Sequence, residues 1–344
     1  MKTSDIDIRR LPVNKIINGG MELAQRNTSF SGLTGFVNQY TLDRYNFLNS
    51  SVNPFTFDVE QDSDIPTDLV GYNSMKVTST TGGTIHTDGY VSIEQRVEGY
   101  NLIDIVNKDF IVAFRVKASN IGTNSVFLSN TVFDQRIAIP YEITVADEWQ
   151  TVYVNVPGRD FSTGFDLATG LGLRVAFVIA AGAGTRQEEH NGVWQTGAGG
   201  NTGVIGQVNN FANNGDYIQF SGVMVYDATH GEIEFERAGR NYVEELALCQ
   251  RYFEVVAAAS FMLVPDGTNT TIYACSCSFK QTKRAQPVAS NFDIGQINGG
   301  QATFSNTGAT TSVDGISAVS TGTNASNINY TYRNVSTVEV DAEL

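Results

Sequence analysis

Residues 181–211 read AGAGTRQEEHNGVWQTGAGGNTGVIGQVNNF, and inside this stretch Arg186, Gln187, Glu188 and His190 precede Trp194. Guanidinium, amide, carboxylate and imidazole groups supply hydrogen-bond donors and acceptors, while an indole offers a broad apolar face with one N–H. That combination suits a sugar ring, whose edge carries hydroxyls and whose faces carry C–H groups. The stretch is too long and glycine-rich for a structural turn, and loops of this length in compact domains are often functional or mobile. The same indole can instead pin the loop to its own sandwich or to a neighbouring subunit. The residues alone leave both uses open.

Catalytic chemistry finds less support. The three histidines, His86, His190 and His230, sit in polar, loop-like contexts, and the chain has no G-x-S-x-G elbow, P-loop or H-E-x-x-H. Carboxylates do pair as Glu188-Glu189, Glu244-Glu245, Asp58-Glu60 and Asp62-Asp64, the kind of pair a glycosidase uses. In a chain with 36 Asp and Glu, solvated carboxylates are the commoner case, and no β-helix repeat accompanies them. The expectation is a non-enzyme with no catalytic residues, no cofactor and no assigned metal. Glu22 and Asp227 are the one pair considered for calcium, which would need further oxygen ligands. Cys275 and Cys277 alternate with Tyr273 and Phe279 along a strand, so with Cys249 they read as buried reduced thiols.

The elements that must position these groups read as strands. In FIVAFRVKAS, Phe110, Val112, Phe114 and Val116 face one way and Arg115 and Lys117 the other. Val152, Val154 and Val156 repeat the pattern, as do Leu173, Val175, Phe177 and Ile179, and Trp149 is read as core. In YIQFSGVMVYDA the alternation slips by one residue at Gly222, which predicts a β-bulge. Only 17% of residues are charged and 33 are glycine, a composition suited to turn-rich β structure. The fold class expected is all-β: a jelly-roll β-sandwich over 21–240, a short linking helix over 241–258 and a smaller β-sandwich domain over 259–344. Residues 1–20 lack any period and read as a docking arm, disordered in the isolated protein. A net charge of −14 argues against nucleic acid as partner, and no apolar run reaches membrane-spanning or signal-peptide length.

The helix prediction rests on ELALCQRYFEVV. Tyr242, Leu246, Cys249, Phe253 and Val256 fall at spacings of four and three, the seam of about two heptads. Either the seam packs on its own chain or identical chains meet along it. The under-filled C-terminal domain and the resemblance below favour a homotrimer.

Several stretches in order carry that resemblance: INGGMELAQRNTSF, YTLDRYNF, SMKVTST, VSIEQRVEG, FRVKAS, EWQTVYVNVPG, GVWQTG, NNFANNGDYIQFSGVMVYD and ELALCQRYFEV. Together they resemble bacteriophage tail and head fibre proteins with a carbohydrate-binding-module-like jelly roll, over residues 17 to about 260. Tyr45 stands where that pattern usually has Trp, and Ala24 where an aromatic is common. The resemblance implies a virion structural protein assembled in the host cytoplasm, usually trimeric, held to other virion proteins by its N-terminal arm and adhering to host-surface glycan. The alternatives are a decoration or adaptor protein that binds no sugar, and a glycan hydrolase or esterase.

Overall fold

The computed structural model describes residues 13–50, 55–197, 199, 202–239, 241–256, 261–265, 270–290, 309–312, 314–323 and 338–344. The chain forms two compact units. The first comprises Met1–Ala24 and Thr28–Arg240; the second comprises Gln25–Asn27 and Asn241–Leu344.

The first unit runs β1 (Ser29–Thr34), β2 (Val37–Tyr40), β3 (Tyr45–Asn49), β4 (Thr56–Asp62), β5 (Ser74–Thr81), β6 (Tyr90–Glu98) and β7 (Phe110–Ala118). It continues through β8 (Gly122–Ser129), β9 (Gln135–Ile143), β10 (Gln150–Val156) and β11 (Leu171–Ala181). The short β12 (Gln187–Glu188), β13 (Gln195–Thr196) and β14 (Gly203–Val204) precede the long β15 (Tyr217–Asp227). One sheet has six strands in the order β1-β4-β5-β15-β7-β10, the other seven in the order β13-β9-β8-β11-β6-β3-β2. The chain crosses repeatedly from one sheet to the other, as in a jelly roll, and neighbours within both sheets are antiparallel.

Alternation places the core between the sheets. Phe114 of β7, Phe177 of β11 and Phe220 of β15 meet there, with centroids 4.8 Å apart for Phe114–Phe177 and 4.9 Å for Phe177–Phe220. The register of β15 against β7 shifts between Ser221 and Met224, the bulge expected at Gly222. Gly222 has φ +59, a left-handed conformation that glycine adopts without strain, and an added Cβ would lie 2.7 Å from Leu69 Cδ1. Tyr45 is fully buried in this core, so its departure from tryptophan concerns packing.

The stretch 1–20 read as a docking arm is in part built into the sandwich. Residues 1–12 lie outside the described residues, but Asn14 through Gly20 are buried in the sandwich. Two apolar side chains, Ile16 and Ile17, enter it, and polar stitches hold the backbone. Gln95 accepts from Ile17 N and donates to Ile17 O, each at 2.8 Å, while Lys15 reaches Asp104 at 2.6 Å. A Cβ on Gly19 would lie 2.2 Å from the Val223 carbonyl oxygen, so the strap can lie this close only with glycine there.

The second unit contains α1 (Tyr242–Gln250), β16 (Phe253–Val256), β17 (Phe261–Pro265), β18 (Thr270–Ser278), β19 (Val288–Ser290), β20 (Ala309–Thr311), β21 (Gly315–Thr323) and β22 (Val338–Asp341). These strands form a three-stranded sheet, β16-β22-β19, and a four-stranded sheet, β17-β18-β21-β20. The linking helix is thus shorter than 241–258. Asn241 caps its start by accepting from Val243 N and Glu244 N, and Phe253–Val256 pair instead with Val338–Asp341. β-branched Val255 and Val256 favour that pairing, and it breaks the seam, since Phe253 and Val256 point to opposite faces of a strand. Cys249, Phe253 and Val256 are buried within the one chain, Leu246 is half-buried, and Tyr242 is 50% exposed. Cys249 is a buried thiol outside any disulfide; Cys275 and Cys277 lie on β18, and their side chains lie outside the described residues.

Candidate functional site

The loop singled out by its chemistry folds over the outer face of the seven-stranded sheet. Val204 on β14 packs with Phe127, Ala138, Ala176, Val178 and Ala181, which face away from the main core. Gln207 fixes the cover by accepting from Ser125 Oγ at 2.7 Å and donating to Val178 O at 2.7 Å.

The five loop residues are placed by this arrangement, and they serve different parts of it. Arg186 donates from Nε to Asp88 O at 2.7 Å and lies 5.2 Å above the Tyr90 ring. Gln187 donates to Ala181 O and accepts from Gly206 N. Glu188 meets Arg136 at 3.5 Å, and His190 Nδ1 lies 2.9 Å from Ala138 O. Trp194 departs from this group: Nε1 donates to Pro157 O at 2.9 Å, and its ring stands edge-to-face on Phe161 and Phe165, each centroid 6.0 Å away. Its surroundings are those of an anchor.

Beside the loop, the same face holds a largely buried polar constellation that the sequence reading missed. Along β6, Tyr90, Ser92, Glu94 and Arg96 project outward by alternation, and Asn46 of β3 and Ala176 of β11 register opposite Glu94. Glu94 is almost fully buried and receives Arg96 at 2.8 Å, Arg174 at 3.3 Å and the Asn46 amide at 3.2 Å. The amide also donates to Asn38 Oδ1 at 2.7 Å. Rings border the cluster: the Arg96 guanidinium lies 5.9 Å from the Tyr40 centroid and the Arg174 guanidinium 4.3 Å from that of Phe133. Burial works against the charge on Arg96, but Tyr40 and Glu94 hold its pKa above the ordinary value. Burial, with Glu94 adding to it, raises the Tyr90 pKa, so the phenol stays protonated and able to donate. Several buried polar atoms here have no protein partner among the described residues: Asn46 Oδ1, Ser92 Oγ, Ser129 Oγ, Arg136 Nε and Arg174 Nε. The sequence signal was available in LGLRVAF, where a lone arginine interrupts an apolar run, and in VSIEQRV, where Glu94 and Arg96 share a face.

Two other expectations change. Trp149 is half-buried at the edge of the six-stranded sheet, where Nε1 donates to Asp64 Oδ1 at 3.1 Å. It precedes β10 instead of joining the alternation of Val152, Val154 and Val156, which is why it escapes the core. Glu22 takes two hydrogen bonds from Arg237, at 2.6 and 2.7 Å, whereas Asp227 receives Lys108 at 2.9 Å. Each carboxylate is neutralised by its own cation, and no metal-binding group of three or more His, Cys, Asp or Glu occurs among the described residues. No helix among them is long and apolar enough to cross a membrane.

No protein-family model and no curated protein matches the chain. Solved structures with a similar backbone course include a CBM4 structure at 12% identity and TM-score 0.29, covering 61% of this chain and 97% of that one. A family 11 carbohydrate-binding module from Clostridium thermocellum matches at 14% identity and TM-score 0.30, covering 58% and 93%. A family 30 carbohydrate-binding module matches at 13% and 0.31, covering 69% and 96%. Likenesses this distant bear on neither ligand nor family; the β-sandwich rests on the two sheets of this chain.

Proposed function

We propose that this chain is a non-catalytic appendage protein of a bacteriophage virion that holds host-surface glycan on the outer face of its seven-stranded sheet. The observation that carries the glycan reading is the meeting of Asn46, Glu94, Arg96 and Arg174 between the rings of Tyr40 and Phe133. Sugar recognition draws on aromatic faces for C–H surface and on fixed charged or amide groups for hydroxyls. The virion assignment rests on the ordered resemblance to fibre proteins, with residues ahead of Asn14 as the attachment to other virion proteins and a homotrimer as the assembled form.

A glycan array tests the binding reading. Wild-type protein should bind a defined subset reproducibly, and Tyr40→Ala should weaken that binding by about tenfold while leaving thermal stability nearly unchanged. Trp149→Ala, on the other sheet, should bind as wild type. Silence across the array would favour a decoration or adaptor protein, and loss of host polysaccharide on incubation would favour a hydrolase or esterase.

A further inference from the structure

Arg174 on β11 and Arg136 on β9 flank Ser129 of β8 in direct cross-strand register, Arg174 opposite Ser129 and Ser129 opposite Arg136. Both guanidiniums converge on the same turn. Arg174 lies over the Phe133 ring, and Arg136 donates to the Phe133 carbonyl at 3.5 Å and to Gly197 O at 2.9 Å. On the other side of Arg174, Arg96 of β6 is its direct cross-strand partner. Like charges facing each other across strands are destabilising.

The carboxylates supplied by the chain answer these cations incompletely. Charge-assisted N–H···O bonds are ordinarily about 2.7–2.9 Å long. Arg174 reaches Glu94 only at 3.3 Å, and Arg136 reaches Glu188 only at 3.5 Å. Glu94 is spent more closely on Arg96, at 2.8 Å. Arg174 Nε, Arg136 Nε and the intervening Ser129 Oγ have no protein partner among the described residues, although all three atoms are buried. Phe133, which both arginines contact, has φ +62, an unfavourable region for an aromatic residue that is kept only where its surroundings impose it.

Resting on the glycan-binding reading, we propose that this face selects an acidic sugar, one whose carboxylate lies between Arg174 and Arg136 beside Ser129. A carboxylate offers two oxygens to guanidinium forks and one more acceptor to the hydroxyl, and it brings the negative charge that the row Arg96, Arg174, Ser129, Arg136 itself lacks. A neutral sugar meets the hydroxyl and leaves the two weakly paired cations as they are.

The test compares oligogalacturonates, glucuronate oligomers and sialyllactose, each with its methyl ester, on the full chain by titration calorimetry. Esterification removes the charge and keeps the ring. At least one acid should bind about tenfold more tightly than its ester, and that preference should weaken as salt rises. Arg174→Gln should erase the preference, and Arg174→Lys should retain part of it, with circular dichroism establishing that both variants fold. Equal binding of acid and ester, or a preference for phosphorylated sugars over all carboxylated ones, would overturn the acidic-sugar assignment while leaving glycan binding intact. Binding to no glycan at all, acidic or neutral, would overturn both.

Discussion

Asn14 satisfies four backbone groups with one side chain. Its amide nitrogen donates to Val223 O at 3.1 Å and Glu236 O at 2.9 Å, and its oxygen accepts from Ile16 N at 2.9 Å and Val225 N at 3.0 Å. Asn14→Leu removes all four bonds at a buried position, so it should cost roughly 2–4 kcal/mol in urea unfolding. Trp194→Phe, which keeps the edge contacts and loses the bond to Pro157, should cost about 1 kcal/mol and leave glycan affinity unchanged. The role of Asn14 could not be read from the sequence, because it depends on backbone atoms remote along the chain, whereas anchoring by Trp194 was one of the two uses its residues left open. What could be read was chemistry without address: Arg186, Glu188 and His190 do line one face, but Trp194 turns inward to Phe161 and Phe165. Glu94, Arg96 and Arg174 went unnoticed because a charge inside a strand reads as ordinary solvent-facing alternation until both sheet neighbours are known.

Among the elements, strands with strict alternation were legible and the boundary of the helix was not. β7, β11 and β15, with the bulge at Gly222, follow directly from period-two patterning. The seam Tyr242 to Val256 satisfied a helical period too, yet tertiary pairing with β22 took its last residues into a strand. Asn241→Ala should therefore destabilise the second unit by about 1 kcal/mol through loss of the helix cap, measured by hydrogen exchange along α1. At the end of β15, partial burial raises the Asp227 pKa, but the Thr229 hydroxyl and amide and the Lys108 ammonium outweigh it and bring it from 3.8 down to about 2. Because the folded value is the lower one, the carboxylate stabilises the fold above roughly pH 4, and this contribution fades as pH falls through about 2. Melting curves of wild type and Asp227→Asn should accordingly differ at pH 6 and converge near pH 2.

At the scale of the whole molecule, the division near residue 240 was legible from composition and the shift in pattern, whereas the strap was not. Seven residues with little apolar content looked like an arm because their bonds to Gln95 and Val223 cannot be foreseen locally. Deleting residues 1–12 should leave the melting temperature unchanged, and deleting 1–20 should lower it steeply. The trimer is tested by light scattering: a wild-type mass of one chain at micromolar concentration would overturn it. One further feature of the second unit bears on how the chain comes to be folded at all. Gln25 donates to Phe253 O, and Arg26 stacks on the Phe253 ring at 3.8 Å and pairs with Asp341 at 3.0 Å. During translation Gln25 and Arg26 must therefore wait, on the order of tens of seconds, while roughly 300 further residues are made before their partners leave the ribosome. A nascent chain stalled before Asp341 would expose Arg26 to solvent or to a chaperone, so truncation ahead of Asp341 should leave the segment around Arg26, more than three hundred residues upstream, without its partner.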